Sequence, residues 1–200
     1  MLSVVFSMLA FALVGSIAPG PVCVIAVTSG AQAGFSRALG FVLGASIGYT
    51  LMVLLVGLGL VGSLQQQPDV MLWLTWAGAA YLLYLAWRIG TAGAVALGKP
   101  ELSSVPGFWA GALAQWLNPK AWLFSVSGIG MFVSSSDSSG RMLLIFCILS
   151  LLMCMLGVGS WALAGQLFGR PLPSPRAMLW FNRLMGLLLA GSVTLILMHQ

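Results

Sequence analysis

Residues 108–133 read FWAGALAQWLNPKAWLFSVSGIGMFV, an apolar run interrupted near its centre by Asn118-Pro119-Lys120. The run is long enough to cross the roughly 30 Å hydrocarbon core of a bilayer as a helix. Proline removes a backbone donor and clashes with the preceding turn, so the triplet should break that helix. Asparagine is a preferred N-cap and proline a preferred first helical residue, which predicts that a new half-helix begins there. Its free N–H groups, its positive dipole end and the Lys120 ammonium would together favour a carboxylate.

The composition of the whole chain is that of a membrane protein. Residues of the AVILMFWYC set make up 60 % of the 200 residues, and charged residues make up 6 %, against roughly 25 % in soluble domains. So few charges cannot provide a wetted surface, which argues against a soluble enzyme, a disordered protein and a nucleic-acid binder. Six runs are long and apolar enough to span a bilayer. They are Leu2–Thr28, Ala38–Leu64, Val70–Trp87, Phe108–Val133, Met142–Phe168 and Met178–Met198. We therefore predict an all-α integral membrane protein with a single transmembrane domain over residues 1–200.

The links between these runs differ in charge. The odd-numbered links are Gly30–Arg37, Arg88–Gly107 and Gly169–Ala177, and the even-numbered links are Gln65–Asp69 and Ser134–Gly140. With the adjoining helix ends, the odd links hold Arg37, Arg88, Lys99, Arg170, Arg176 and Arg183, and the even links hold only Arg141. Because cytoplasmic loops collect Lys and Arg, the odd links should lie inside and both termini outside. If the first or fourth run is re-entrant, the assignment of the termini changes, whereas that of the links largely remains.

A second triplet, Pro19-Gly20-Pro21, lies inside the first run. Pro19 and Pro119 are each about 11 residues from a cytoplasmic link, which at 1.5 Å per residue is roughly 16 Å deep, near the bilayer midplane. Interrupted backbone at that depth is costly unless it lines a wet cavity or is covered by protein, so the two breaks predict a cavity. Two alternatives stay open: a hinge without ligand contact at the first triplet, and a Lys120 that reaches the cytoplasmic surface.

The chain divides into two halves of three runs, about residues 1–90 and 104–200, and each half opens with a broken helix. Three spans per half make the halves inverted in the membrane, as in many secondary transporters that bind substrate at the repeat interface. We predict that the site is built from Pro19, Gly20, Pro21, Asn118, Pro119 and Lys120. Tyr49, Tyr81 and Gln115 are further candidates to line the cavity.

Gly40, Gly44 and Gly48 recur every four residues in the second run. This small-xxx-small pattern lets the backbone of another helix approach closely. Gly107 with Gly111, and Gly186 with Gly191, repeat the pattern more weakly.

Groups that other mechanisms require are missing from the runs. Asp69, Glu101 and Asp137 lie in links, and the single histidine, His199, is the penultimate residue. We therefore expect no carboxylate proton relay, no metal site, no cofactor and no serine–histidine hydrolase. The three cysteines fit neither a disulfide framework nor a zinc site, and we interpret them as small hydrophobes in helix interfaces. Most tryptophans lie near the ends of runs, as in an aromatic belt.

The chain resembles the LysE family of amino-acid exporters over essentially its whole length. The hallmarks of that family are a PGP triplet in the first helix and an NPK triplet in the fourth, here Pro19–Pro21 and Asn118–Lys120. The stretch Ala77–Leu82 and the pair Asn182-Arg183 also fit. The resemblance implies a multi-pass protein of the bacterial inner membrane. It would export amino acids or their derivatives from the cytoplasm, with the proton gradient as the expected driving force.

Two departures from the family bear on the substrate. Many members follow PGP with Asn or Asp, whereas this chain has Val22-Cys23, and many carry an acid after the glycine that corresponds to Gly48, whereas here Tyr49 follows. Both changes remove polar groups and favour small neutral substrates over lysine or arginine. The stretches Trp76–Arg88 and Trp161–Gly165 look most like the cysteine and O-acetylserine exporter branch. Homoserine-like and threonine-like substrates are the alternative.

The leading hypothesis is therefore a secondary exporter of small zwitterions that works by alternating access. A passive small-solute channel is the alternative, and an enzyme embedded in the membrane is disfavoured because no acid–base pair is present. The expected partners are an amino-acid substrate and the lipid bilayer, and not nucleic acid. Assembly into a homo-oligomer stays open.

Overall fold

The computed structural model describes residues 2–59, 68–91, 105–133, 139–169 and 175–198, and all regular structure in these ranges is α-helical. The helices are α1 (Leu2–Ile17), α2 (Pro21–Ala33), α3 (Phe35–Gly57), α4 (Pro68–Thr91), α5 (Phe108–Trp116), α6 (Pro119–Phe132), α7 (Ser139–Gly169) and α8 (Pro175–Met198). The prediction of an all-α protein is confirmed for this part of the chain.

The first triplet lies between α1 and α2, which are bent by 64° relative to each other. Gly20 has extended backbone and caps α2, and Pro21 is the first residue of that helix. Proline is well tolerated at this position because the first N–H groups of a helix have no intrahelical acceptor. The triplet therefore ends one helix and begins the next.

The second triplet lies between α5 and α6. Asn118 has extended backbone, with φ −97° and ψ 107°, and is the N-cap of α6, which begins at Pro119. The Asn118 side-chain Oδ1 accepts a hydrogen bond of 3.2 Å from the backbone N–H of Lys120. An asparagine N-cap followed by proline is a strongly favoured way to begin a helix.

Two helices in the described ranges, α3 and α7, are each long and apolar enough to cross a membrane, and the bent pair α1–α2 would supply a third span if it crosses as one unit. Both long helices present a row of exposed apolar side chains that recurs about every four residues. The rows are Leu39, Leu43, Ile47 and Leu51 on α3, and Leu144, Ile148, Leu152 and Leu156 on α7. Continuous apolar faces of this kind suit contact with lipid rather than with water.

Helices of each half of the chain pack mainly against helices of the other half. The pair α1–α2 packs against α7, the pair α5–α6 packs against α3, and α4 packs against α8. Helices α3 and α7 also pack against each other. Each interrupted pair therefore lies against a long helix from the other half of the chain.

Glycines permit the closest crossings. A Cβ at Gly30 in α2 would overlap the backbone of Ala162 in α7, and a Cβ at Gly165 would overlap the backbone of Val27. Close approach of another backbone is a recurrent use of glycine in membrane helices.

Two of the three glycines in the row predicted on α3, Gly44 and Gly48, lie at a close approach to α5. A Cβ at Gly44 would overlap the backbone of Phe108 in α5, and a Cβ at Gly48 would lie 2.9 Å from the Cα of Ala112. Gly111 of α5 meets the α3 backbone in the same way.

The loop predicted over Gly30–Arg37 is wrong. Helix α2 continues to Ala33 and α3 begins at Phe35, so only Gly34 lies outside a helix. Gly34 has a φ of 82°, which glycine adopts without the steric penalty of a Cβ. The backbone N–H of Phe35 donates to the Gln166 side-chain Oε1 at 2.6 Å. One glycine and one side-chain acceptor are therefore enough to turn the chain.

Two other predicted boundaries also move. The fifth link was predicted to run to Ala177, but Pro175 begins α8, because a proline fits the first helical position. Asp69 lies in the first turn of α4 and not in a link. Arg37, Arg88 and Arg176, which were also assigned to links, lie in α3, α4 and α8. Five further charged or titratable residues of the links and of the C-terminal end fall outside the described ranges. They are Lys99, Glu101, Asp137, Arg170 and His199.

Candidate functional site

Lys120 connects the two helix interruptions. Its Nζ donates a hydrogen bond to the carbonyl oxygen of Ala18, which lies between α1 and α2. A Cβ at Gly20 would lie 3.4 Å from the Lys120 Cδ, so the lysine stem passes directly beside the first triplet. The ammonium also lies 5.8 Å from the centre of the Phe124 ring. The cation of one triplet is therefore held by the backbone next to the other triplet.

Two tryptophan side chains bond carbonyls that the helix ends leave without a helical partner. Trp161 Nε1, on α7, donates to the carbonyl of Ile17 at the end of α1, at 3.0 Å. Trp122 Nε1, on α6, donates to the carbonyl of Trp116 at the end of α5, at 2.7 Å. Such bonds offset the cost of interrupted backbone away from water.

The N–H groups at the start of α6 are occupied, which corrects the expectation that they face the cavity unbonded. The N–H of Lys120 donates to the Asn118 side chain, and the N–H of Ala121 donates to the Asn118 carbonyl at 2.9 Å. The asparagine cap thus uses the donors that an anion would otherwise take. The Lys120 ammonium is left as the main donor for an anion at this place.

A cavity lies between the two interruptions. Its free volume is about 30 Å³, far below the roughly 300 Å³ at the lower end of ligand pockets. This volume has room for a water molecule or two, so the cavity is too small for an amino acid in this conformation. The lining residues are Gly15, Ser16, Gly20, Val22, Cys23, Tyr49, Gln115, Asn118, Lys120, Ala121, Phe124, Cys154 and Val158.

One wall of the cavity is a row of hydrogen-bonded polar side chains. Asn118 Nδ2 donates to Gln115 Oε1 at 3.3 Å, and Gln115 Nε2 donates to the Cys154 Sγ at 3.6 Å. All three side chains are buried. On another wall the Cys23 thiol donates to carbonyls near the end of α1, at 3.6 and 3.7 Å. The cavity therefore combines one cation, two amides, two thiols and two hydroxyls.

The chemistry of this set suits a small zwitterion. An ammonium side chain binds a carboxylate by a charge-assisted hydrogen bond, and backbone carbonyls such as that of Ala18 accept from an amino group. The described residues contain no group of three or more His, Cys, Asp or Glu side chains that could hold a metal ion.

Comparison with known proteins agrees with this chemistry. The family model of the LysE type translocators matches residues 13–200. The chain belongs to this family. LysE family members are membrane transporters and not enzymes.

Several curated relatives of this LysE family chain carry the name cysteine/O-acetylserine efflux protein. The relative from Salmonella typhimurium is 33 % identical over 164 residues, which cover 80 % of this chain and 81 % of the relative. The relative from Klebsiella pneumoniae is 31 % identical over 168 residues, covering 84 % and 85 %. The relative from Escherichia coli O9:H4 is 33 % identical over 162 residues, covering 80 % and 81 %. No solved structure matches the chain.

The cavity is lined by five of the residues that were predicted for the site from the sequence. They are Gly20, Tyr49, Gln115, Asn118 and Lys120. The prolines act differently, because Pro21 and Pro119 occupy the first positions of α2 and α6, and Pro19 lies in the connection between α1 and α2. Their place in the backbone sets where the helices end.

Tyr81 lies apart from the cavity. It is on α4, and its hydroxyl donates to the carbonyl of Ala110 in α5 at 3.3 Å. The side chain thus ties α4 to α5. Tyr81 lies in a helix, as the family pattern implies, but it does not line the cavity at Lys120.

The sequence did not single out the two cysteines that line the cavity. Cys23 follows Pro21 by two residues, so its position in the first turn of α2 was a usable signal. Cys154 comes from the middle of α7, far from either triplet, and no local pattern distinguishes it from Cys147, which does not line the cavity. The sequence analysis assigned Trp122 and Trp161 to an aromatic belt and did not predict that they donate hydrogen bonds to backbone carbonyls.

Proposed function

We propose that this LysE family chain exports small neutral amino acids or their derivatives from the cytoplasm, with cysteine and O-acetylserine as the first candidates. The observation that carries the proposal is the contact of Lys120 with the Ala18 carbonyl, because it brings a cation and a backbone carbonyl of the helix interruption together beside one cavity. The names of the relatives support the substrate class. Homoserine and threonine are the second set to test.

Substrate binding would exchange one hydrogen-bond partner of Lys120 for another. A substrate carboxylate takes the ammonium away from the Ala18 carbonyl, because a charge-assisted bond between two ions is the stronger one. The released carbonyl can then accept from the amino group of the same substrate. A zwitterion satisfies both groups at once, whereas an amine or an acid alone satisfies only one.

The surrounding residues favour a small neutral side chain. Phe124, Val158 and the thiols of Cys23 and Cys154 line the remaining space. None of the lining residues is a carboxylate, so the ammonium or guanidinium of a lysine or arginine substrate would have no ionic partner. Desolvating such a charge without a partner is costly.

For the mechanism we propose alternating access in a six-span protein of the inner membrane, with inverted halves over residues 1–90 and 104–200 and both termini outside. The exchanged packing of each interrupted pair on the long helix of the other half supports this arrangement. The small volume of the cavity supports a carrier over a passive channel, since a channel needs a continuous opening in at least one state.

Everted membrane vesicles provide the test. Wild-type vesicles should accumulate cysteine or O-acetylserine above the outside concentration when a gradient is imposed. Lys120→Ala should abolish this accumulation while the protein remains in the membrane, because the partner of the substrate carboxylate is lost. Arg141→Ala, which removes an exposed cation at the start of α7, is the matched control and should transport normally.

Two results would contradict the proposal. Normal uphill transport by Lys120→Ala would remove the carboxylate site. Wild-type vesicles that only equilibrate the substrate, whatever gradient is imposed, would instead indicate a passive channel.

A further inference from the structure

A second and larger cavity lies between α2 and α4. Its volume is about 290 Å³, at the lower end of the range for small-molecule pockets. Its lining includes Thr28, Ser29 and Gln32 from α2 and Arg88 from the last turn of α4. None of these residues lines the cavity at Lys120. We refer to this second cavity as the α2–α4 pocket.

The polar groups of the α2–α4 pocket suit both ends of an amino acid. Arg88 provides a guanidinium, whose donor geometry matches a carboxylate. The Thr28 and Ser29 hydroxyls donate to the backbone carbonyls one turn earlier, at 2.7 and 2.8 Å. Each hydroxyl oxygen keeps acceptor capacity that an ammonium can use.

Helix α2 is a shared wall of both cavities. Cys23 lines the cavity at Lys120, and Thr28 lines the α2–α4 pocket five residues later, about 7.5 Å along the helix. Ile25 and Ala26, between them, are fully buried. Different stretches of α2 therefore line the two polar cavities in this conformation.

A hydrogen bond joins the C-terminal end of α2 to α8. Gln32 Nε2 donates to the Asn182 side-chain Oδ1 at 3.0 Å, and Asn182 is fully buried. Thr28, Ser29 and Gln32 thus occupy the C-terminal half of α2, which ends at Ala33, four residues before Arg37. By the positive-inside rule that end faces the cytoplasm.

We propose that the α2–α4 pocket is a second amino-acid site, which takes the substrate from the cytoplasm before the cavity at Lys120 opens. Arg88 binds the carboxylate, and the hydroxyl oxygens of Thr28 and Ser29 accept from the ammonium. The ligand class is a small zwitterionic amino acid. This inference rests on the proposed export function, and it adds a second binding site on the cytoplasmic side of the cavity at Lys120.

The test uses Arg88→Gln in reconstituted full-length protein, with cysteine offered from one face at a time. The Michaelis constant measured from the cytoplasmic face should rise about tenfold, the effect of losing one charge-assisted hydrogen bond. Without an imposed gradient, the maximal export rate and the Michaelis constant from the outer face should not change. The maximal import rate should fall by the same factor, because a carrier at equilibrium cannot favour one direction. Arg176→Gln removes a cation of the same predicted face that does not line the pocket, and it should leave both constants unchanged.

A second variant covers the case in which Arg88→Gln does not fold. Thr28→Val keeps the side-chain shape but removes the hydroxyl, and it should raise the cytoplasmic Michaelis constant severalfold. An unchanged cytoplasmic constant in both variants, or an equal rise on both faces, would overturn the second site. Failure of the export proposal looks different, because wild-type protein would then show no uphill transport and no dependence on Lys120.

Discussion

Individual side chains make the helix interruptions energetically tolerable. Trp122 bonds the last carbonyl of α5, and Trp161 bonds the last carbonyl of α1. These two residues come from different helices, α6 and α7, yet they do the same task at corresponding places. The carbonyls would otherwise face a medium with no water to donate hydrogen bonds to them.

Trp122→Phe should therefore destabilise the protein. The change keeps most of the aromatic surface but leaves the Trp116 carbonyl unpaired, at a cost of about 1–3 kcal/mol. Thermal unfolding of the purified protein in detergent measures the effect. Trp109→Phe is the control, because Trp109 is 77 % exposed, and its variant should unfold with the wild-type midpoint. Equal midpoints for all three proteins would show that the bond contributes nothing.

Residues inside the two triplets could be predicted for the site because their chemistry is local. Proline cannot continue a helix, and Asn118 before a proline is a cap in almost any context. Cys154 and Val158 could not be predicted, because they reach the cavity only through the packing of α7 against α1 and α2. That packing depends on glycines whose partners are distant in sequence.

At the level of helices, the crossings of α2 with α7 and of α3 with α5 hold the interrupted pairs in place. The apolar runs and their approximate ends could be read from hydropathy, since lipid imposes one length on every span. The partner of each helix could not, because all faces of such helices are apolar. The glycine row of α3 indicated a close contact but not that α5 would supply it.

Gly165→Ala should weaken the α2–α7 crossing. The added methyl would overlap the backbone of Val27, which cannot rotate away as a side chain does, and overpacking of this kind costs about 1–3 kcal/mol. Gly130→Ala is the matched control, because nothing lies within 4 Å of its added Cβ. Unfolding midpoints and transport rates of both variants provide the comparison. A Gly165→Ala protein as stable and active as Gly130→Ala would contradict the crossing.

At the scale of the whole molecule, the cation bias predicts that both termini face outside. A reporter fused after Gln200 that is active only in the periplasm should therefore be active. A cytoplasmic reporter at the same place should be silent, and the reverse pattern should appear for fusions in the link after Arg88. Activity of the cytoplasmic reporter at residue 200 would overturn the assignment and would favour a re-entrant first or fourth run.

The residues of the cavity limit how export can be coupled to the proton gradient. Proton-driven export requires a group that changes protonation, and among the described cavity residues Lys120 is the leading titratable candidate. A bound carboxylate favours the charged ammonium. Proton and substrate would then move together, which is the wrong sense for proton-driven efflux. Antiport needs the empty carrier to return protonated, and a lysine that pairs with the substrate does not provide that step.

We therefore predict that Lys120→Arg still binds substrate and that its efflux keeps its response to a pH gradient. Arginine stays charged at every working pH, so the variant keeps the carboxylate partner while losing any titration at this position. Efflux from vesicles at fixed membrane potential, with and without an imposed pH gradient, measures the response. A variant that transports but ignores the pH gradient would identify Lys120 as the proton carrier. A retained response leaves another group, or the membrane potential, as the coupling element, and limits the role of Lys120 to holding the carboxylate.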